Sequence, residues 1–243
     1  MTRPLLIMKT GQTLTSLRSC GEDFEHWIIR AMGLPASATT TVAVHADEAL
    51  PPLGDIAGIV VTGSPAMLTD GAPWNAVAAA YLQEAVRLTL PVLGICYGHQ
   101  LLAHAFGGRV DYHPAGREIG TVPLRLHGAA QSDPLLAGLP AHFVAHATHS
   151  QSVLTLPAAA TLLASSVHDP HQCYRIGESA WGVQFHPEFT ALVMRTYVLE
   201  RAAALHDEGL KPAELLSTVE ETPEATLILS NFARIIGMTP GSA

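Results

Sequence analysis

Short, continuous apolar runs separated by segments of helical period dominate the first hundred residues. PLLIMK (4–9), TTTVAVHA (39–46), DIAGIVVTG (55–63) and PVLGI (91–95) carry aliphatic and β-branched residues with little polar alternation. Runs of that kind predict strands buried on both faces of a parallel sheet. Between them GEDFEHWIIRAM (21–32) places Phe24, Trp27, Ile28 and Ala31 on one helix face, and NAVAAAYLQEAVRLT (75–89) and residues 97–106 read as two more helices. The pattern then changes. RVDYH, TVPLRLH, HFVAHA, TLLASS, QCYRI and AWGVQF are short strands with turn residues between them, which predicts an antiparallel or mixed extension of the sheet. From Thr190 onward ALVMRTYVLERAAALHDEG, the stretch around KPAELLSTVEE and TPEATLILSNFARIIG read as helices, with Pro212 and Pro223 where a helix can begin. No internal repeat is visible. The expected organisation is an α/β domain over residues 1–190 and a helical C-terminal extension, 191–243, packed on it. The final TPGSA is expected to fray.

Composition narrows the function classes. The chain has 243 residues, 48% hydrophobic and 14% charged, enough for one large core and little disorder. A net charge of -8 argues against a nucleic-acid partner. Nothing approaches the apolar length of a membrane span, and the short N-terminal apolar run lacks the features of a signal peptide. Cys20, Cys96 and Cys173 are odd in number and widely spaced, which points to a reducing, cytoplasmic setting.

Chemistry concentrates at "PVLGICYGHQ". Gly94-Ile95-Cys96-Tyr97-Gly98 has the form of a strand-to-helix turn that presents a nucleophile. The glycines let strand and helix approach, and the helix N-terminus favours a thiolate. The Tyr97 N–H, unpaired within the helix, is available to a developing oxyanion. On five residues alone, a buried cysteine before an ordinary helix is an equal reading. Far along the chain, "WGVQFHPEF" sets His186 at a strand end with Glu188 two residues on, so that in extended chain both side chains point the same way. A thiolate needs a base, and the base needs an orienting group.

The turn at Cys96 with its Gln100, the segment "VVTGSP" and the terminal "GVQFHPE" together resemble class I, triad-type glutamine amidotransferases, closest to stand-alone members described as GMP-synthase-like. The likeness runs over roughly residues 50–190. It implies an open, mostly parallel, flavodoxin-like α/β sheet flanked by helices, with a small antiparallel extension. It implies that Cys96 attacks the glutamine side-chain amide, His186 shuttles the proton, Glu188 orients the histidine, and a γ-glutamyl thioester forms as ammonia leaves. The second oxyanion donor should come from Gly63 or Ser64. Members usually carry a second glycine where this chain has Ser64, so either peptide remains a candidate. Gln100 is implied as a substrate contact, as are His149, Ser150 and Gln151 in "THSQSV" (148–153), the segment that resembles the loop holding the α-amino and α-carboxylate groups. Many members carry an acidic residue there, and this chain has Gln151 and Ser152. Arg117 and Glu118 in "AGREIGTV" are positional, at the rim of the site or as a solvated ion pair.

Thirteen histidines raise a metal reading. His142, His146 and His149 have a helical spacing but straddle an expected strand and its loop, so they are not expected to converge on a metal. Neither a metal nor another cofactor is expected. The chain has no G-x-x-x-x-G-K-[ST] segment, so transfer of the ammonia would require a synthetase partner chain. Two alternatives stay open: a γ-glutamyl peptide hydrolase using the same three residues, and a non-catalytic regulatory subunit of a synthetase complex.

Overall fold

The structure, a computed structural model, describes residues 3–239; the end of the TPGSA tail, residues 240–243, lies outside the described residues. In chain order its elements are β1 (Leu5–Lys9), α1 (Thr15–Ser19), α2 (Phe24–Ala31), β2 (Thr39–Ala43), β3 (Gly58–Val61), α3 (Trp74–Arg87), β4 (Val92–Ile95) and α4 (Tyr97–Ala105). Then follow β5 (Arg109–Tyr112), β6 (Glu118–Leu126), β7 (His142–His149), β8 (Gln151–Thr155), β9 (Ala160–Ser165), β10 (Cys173–Ile176) and β11 (Ala180–Val183). The helices α5 (Ala191–Glu200), α6 (Ala202–Asp207), α7 (Pro212–Thr218) and α8 (Pro223–Ile235) close the chain.

Nine strands form one sheet in the order β2-β1-β3-β4-β11-β10-β9-β6-β7. The pairs from β2 to β11 are parallel, and those from β11 to β7 are antiparallel. The antiparallel strands therefore continue the main sheet, and a separate two-stranded sheet joins β5 to β8. Every residue of β1, β3 and β4 is buried, as unalternating apolar runs require. Each such Leu, Ile or Val contributes about 1.5–3 kcal/mol relative to exposure. The edge strand β2 leaves Thr40 and Thr41 exposed.

Both sheet faces are covered. One side packs Leu5, Ile7, Val60, Leu93 and Ile95 with Ile28 of α2 and Ile228, Leu229 and Phe232 of α8. The other packs Leu6, Met8, Ile59, Val61 and Val92 with Ala78 and Leu82 of α3 and Leu101 and Leu102 of α4. α8 thus shares the sheet's own core, whereas Val193, Met194, Tyr197 and Val198 of α5 and Leu205 of α6 pack with Phe24, Trp27 and Ile119 in a separate cluster. Pro212 and Pro223 open α7 and α8. The long helix expected from Ala191 is in fact two, because the backbone bends at Arg201, which ends α5 and begins α6. The strand expected over 39–46 stops at Ala43, where a 3-10 turn takes Val44–Ala46. β8 was not expected; it begins inside THSQSV, a segment too polar to read as a strand.

Candidate active site

Cys96 lies between the end of β4 and the start of α4, at the carboxyl edge of the parallel strands where open α/β sheets collect their sites. Its backbone has φ 51° and ψ -99°, a conformation that L-residues rarely adopt and that costs on the order of 1–3 kcal/mol. The turn is pinned by Cys96 N–H donating to Val183 O at 2.8 Å and by Gln100 N–H donating to Cys96 O at 3.1 Å. The flanking glycines are required by contact. A Cβ on Gly98 would stand 2.5 Å from Val61 O, and one on Gly94 would overlap the Gly98 carbonyl.

His186 approaches from the neighbouring strand of the sheet. β11 ends at Val183, so the extended geometry that would align His186 with Glu188 does not come from a continuing strand. Instead His186 N–H donates to His146 O at 2.7 Å, and Phe189 N–H turns back to His186 O. The result brings His186 Nδ1 within 2.8 Å of Glu188 Oε1, the imidazole donating to the carboxylate. Both residues are buried, at 2% and 4% exposure. Phe189 stacks on the imidazole with ring centroids 4.1 Å apart, and Phe24 of α2 lies parallel to it at 6.2 Å. His186 Nε2 is buried and has no hydrogen-bond partner among the described residues. A Cβ on Gly63 would sit 2.9 Å from His186 Cε1 and 3.7 Å from Cys96 Cβ, so the two side chains crowd one point.

The electrostatics of the histidine follow from this packing. Burial by itself would lower its pKa, but the Glu188 carboxylate and the Cys96 sulfur outweigh burial and raise it to about 10. Its neighbour His146 is pushed the other way, to about 4, by burial and by His186.

Among the described residues, no acceptor meets the N–H groups of Tyr97, Gly63 or Ser64. The Thr62–Gly63 peptide is itself held by Thr10, whose hydroxyl donates to Thr62 O at 2.9 Å and reaches Gly63 O at 3.1 Å. Ser64 Oγ donates to Thr10 O at 2.9 Å and accepts from Ala66 N–H at 3.1 Å. The serine side chain is therefore tied to the scaffold.

A cleft of roughly 550 Å³, counted with its open mouth, is lined by Cys96, His186, Gln100, Ser64, Ser150 and Tyr197 among others. The residues expected to hold substrate are all on its wall, but several of their polar atoms are already engaged. Gln100 Nε2 donates to Gln151 O at 2.8 Å and to Gln184 Oε1 at 3.0 Å. Gln151 accepts from Leu68 N–H at 3.0 Å and donates to Thr69 Oγ1 at 2.6 Å, which ties residues 66–70 to β8. His149 Nε2 donates to Glu118 Oε2 at 2.9 Å. Glu118 is thus no solvated rim charge: it is buried and also accepts from Ser166 and Gln172. His149 closes β7 rather than lying in a loop, and His142 stands exposed at the other end of the same strand.

Five wall residues had no signal in the sequence as parts of a site: Phe24, Ala66, Met67, Tyr197 and Arg201. Tyr197 is held by a 2.8 Å hydrogen bond between its hydroxyl and Thr13 Oγ1. Only a helix register against the sheet edge could have located it.

The family model for glutamine amidotransferase class-I matches residues 17–204. A GMP synthase (glutamine-hydrolyzing) of Thermosipho africanus is 33% identical over 188 residues, covering 76% of this chain and 34% of its own. That of Aeropyrum pernix is 35% identical over 213 residues, covering 83% of this chain and 38% of its own. The chain thus spans about a third of the length of these curated relatives. Among solved structures, a glutamine amidotransferase from Thermotoga maritima superposes with a TM-score of 0.77 at 21% identity, covering 97% of this chain and 99% of that one. Another from Methylobacillus flagellatus gives 0.75 at 22% identity, covering 100% and 98%. At such identities the superpositions show the fold. The extent of the family match and the identity to its members establish that the chain belongs to the class I glutamine amidotransferase family.

Proposed function

We propose that the chain hydrolyses the side-chain amide of glutamine through Cys96, His186 and Glu188, and that the ammonia serves a synthetase partner chain. The observation that carries this reading is the strained Cys96 beside the buried, carboxylate-bound His186 in one cleft. In the thiolate–imidazolium form of the pair, the sulfur attacks the amide carbon and the carbonyl electrons move to oxygen. Tyr97 N–H and the peptide of Gly63 or Ser64 would hold that oxyanion, each donor contributing about 3 kcal/mol. The electron pair returns, the C–N bond breaks, and His186 gives its proton to the leaving nitrogen, forming the thioester and ammonia. Water then adds, His186 takes back a proton, and glutamate leaves as the pair is restored. Glu188 holds the ring and stabilises its positive charge throughout.

The relatives named as GMP synthases favour a synthetase as partner. A structure neighbour from Thermoplasma acidophilum, described as one of the subunits of a GMP synthase, bears the same suggestion. The wall of the cleft has no carboxylate for an α-ammonium group, which keeps a γ-glutamyl peptide as the second reading. No helix among the described residues is long and apolar enough to cross a membrane. The test is release of ammonia and glutamate from glutamine, and of glutamate from γ-glutamyl peptides, by the wild type and by Cys96→Ala. Turnover of glutamine that survives Cys96→Ala would overturn the mechanism, and turnover of peptides alone would overturn the amidotransferase assignment.

A further inference from the structure

Two guanidinium groups and no carboxylate line the cleft, on a chain whose net charge is -8. Their situations differ. Arg117 is committed: its Nε and Nη2 donate to the two carboxylate oxygens of Glu208 at 2.8 and 2.9 Å. Arg201 is not. It stands at the bend between α5 and α6, with its guanidinium carbon 5.6 Å from the centroid of the Tyr197 ring. Among the described residues no carboxylate lies within ion-pair distance of it, and its Nε is buried without an acceptor. Burial and the charge of Arg117 both act against its protonated form. A planar five-donor cation held on an aromatic face, short of a partner, in the wall of a cleft is suited to a carboxylate arriving from solution.

The cleft also extends further than the amide of glutamine requires. Beyond Arg117 it opens into a shallow groove that shares Met67, Arg117 and Ser150 and adds Tyr112, His113 and Leu210. An ammonia leaving group needs no such groove, whereas the amine half of a γ-glutamyl dipeptide would lie along one.

We propose that Arg201, backed by the Arg117–Glu208 pair, is a carboxylate-binding subsite for the acyl donor. The carboxylate is either the α-carboxylate of the glutamyl half or the C-terminal carboxylate of a γ-glutamyl dipeptide seated in the groove. The proposal rests on Cys96 as the nucleophile toward a γ-glutamyl donor, and its test separates the two claims.

The probe is 6-diazo-5-oxo-norleucine, which carries the α-carboxylate of glutamine and alkylates a cysteine as the C–S bond forms and N₂ leaves. Its α-methyl ester lacks the charge, and iodoacetamide reports the thiol alone. Labelling of Cys96 is followed by mass spectrometry in the wild type, Arg201→Gln and Arg201→Lys. If the bound carboxylate is the glutamyl one, Arg201→Gln is expected to slow labelling by the free acid about 10- to 100-fold, the range of a lost charge-assisted hydrogen bond. Alkylation by iodoacetamide should stay within about twofold, since that reagent does not use the subsite. Arg201→Lys should recover part of the loss. If the bound carboxylate is the glutamyl one, the ester labels the wild type as slowly as the acid labels Arg201→Gln. If it belongs to the leaving half, acid and ester label the wild type alike, and γ-glutamylglycine protects Cys96 from iodoacetamide in the wild type but not in Arg201→Gln. Equal labelling and equal protection in wild type and Arg201→Gln would overturn the subsite and leave the nucleophile standing. A fall in the iodoacetamide rate that matches the fall with the acid, unrelieved by lysine, would reduce Arg201 to a structural role and overturn it too. A wild type that no glutamine analogue labels and no γ-glutamyl compound protects would overturn both claims together.

Discussion

Replacing Glu188 by glutamine removes one charge from the site while leaving an oxygen to accept from His186 Nδ1. The two groups meet at 2.8 Å with side-chain exposures of 2% and 0%, so water screens them little. With charge centres about 4 Å apart and an effective dielectric near 20, the lost attraction is about 4 kcal/mol at most, or up to about 3 pKa units. The imidazole midpoint, about 10 in the wild type, should therefore fall by roughly 2 to 3 units in Glu188→Gln. The sign carries through to stability. The folded pKa lies above the ordinary value of 6.5, so the protonated ring stabilises the fold fully below that pH and the contribution is lost as pH climbs toward 10. Glu188→Gln should flatten that loss and end it at lower pH. The assay is an NMR titration of the His186 ring carbon, with urea unfolding at several pH values as the second readout. Under the proposed mechanism, turnover of glutamine should drop by about 100-fold or more, because the imidazolium proposed to protonate the leaving nitrogen would no longer be stabilised. A midpoint that moves by less than about half a unit would refute the assignment of the high pKa to the carboxylate.

Backbone strain at Cys96 predicts an unusual order of stabilities. Cys96→Gly should be more stable than Cys96→Ala by about 1 kcal/mol or more in urea unfolding, because glycine relieves the positive φ of 51°, although both should lose turnover of glutamine under the proposed mechanism. Gly98→Ala should lower stability by about 3 kcal/mol or yield insoluble protein, since its Cβ would press on Val61 O; the soluble fraction and thermal midpoint report this. Lys9 is a buried partner of Asp23 at 2.7 Å and Glu25 at 2.6 Å, and Asp23 also accepts from Thr13 and Phe24 N–H. Lys9→Met should cost about 3 kcal/mol by leaving two carboxylates facing each other, and it should loosen the Phe24 side of the cleft, seen as a raised KM.

The strands of the parallel half were legible because burial on both faces leaves a continuous apolar run, as at Leu5 to Met8 in β1 and over Val92–Ile95. The turn at Cys96 was legible because two close approaches demand glycine on either side. The proximity of His186 to Glu188 was read from a two-residue spacing, yet the structure makes it through a bridge to His146, some forty residues away, which no local pattern encodes. β8 hid inside a polar segment whose side chains bond to the rest of the fold, Gln151 to Leu68 and Thr69. The break at Arg201 interrupts a stretch of good helix formers, and its place in the cleft comes from how α5 packs against the sheet edge. Composition carries no information on such tertiary placements.

The most direct test of the account is acyl transfer to sulfur itself. Wild-type protein mixed with glutamine or a γ-glutamyl peptide and quenched in acid within the first turnovers should carry a glutamyl adduct on the peptide containing Cys96, and His186→Ala should slow its formation and its loss. An adduct on any other residue, or ammonia released with none on Cys96 at any time, would contradict the account.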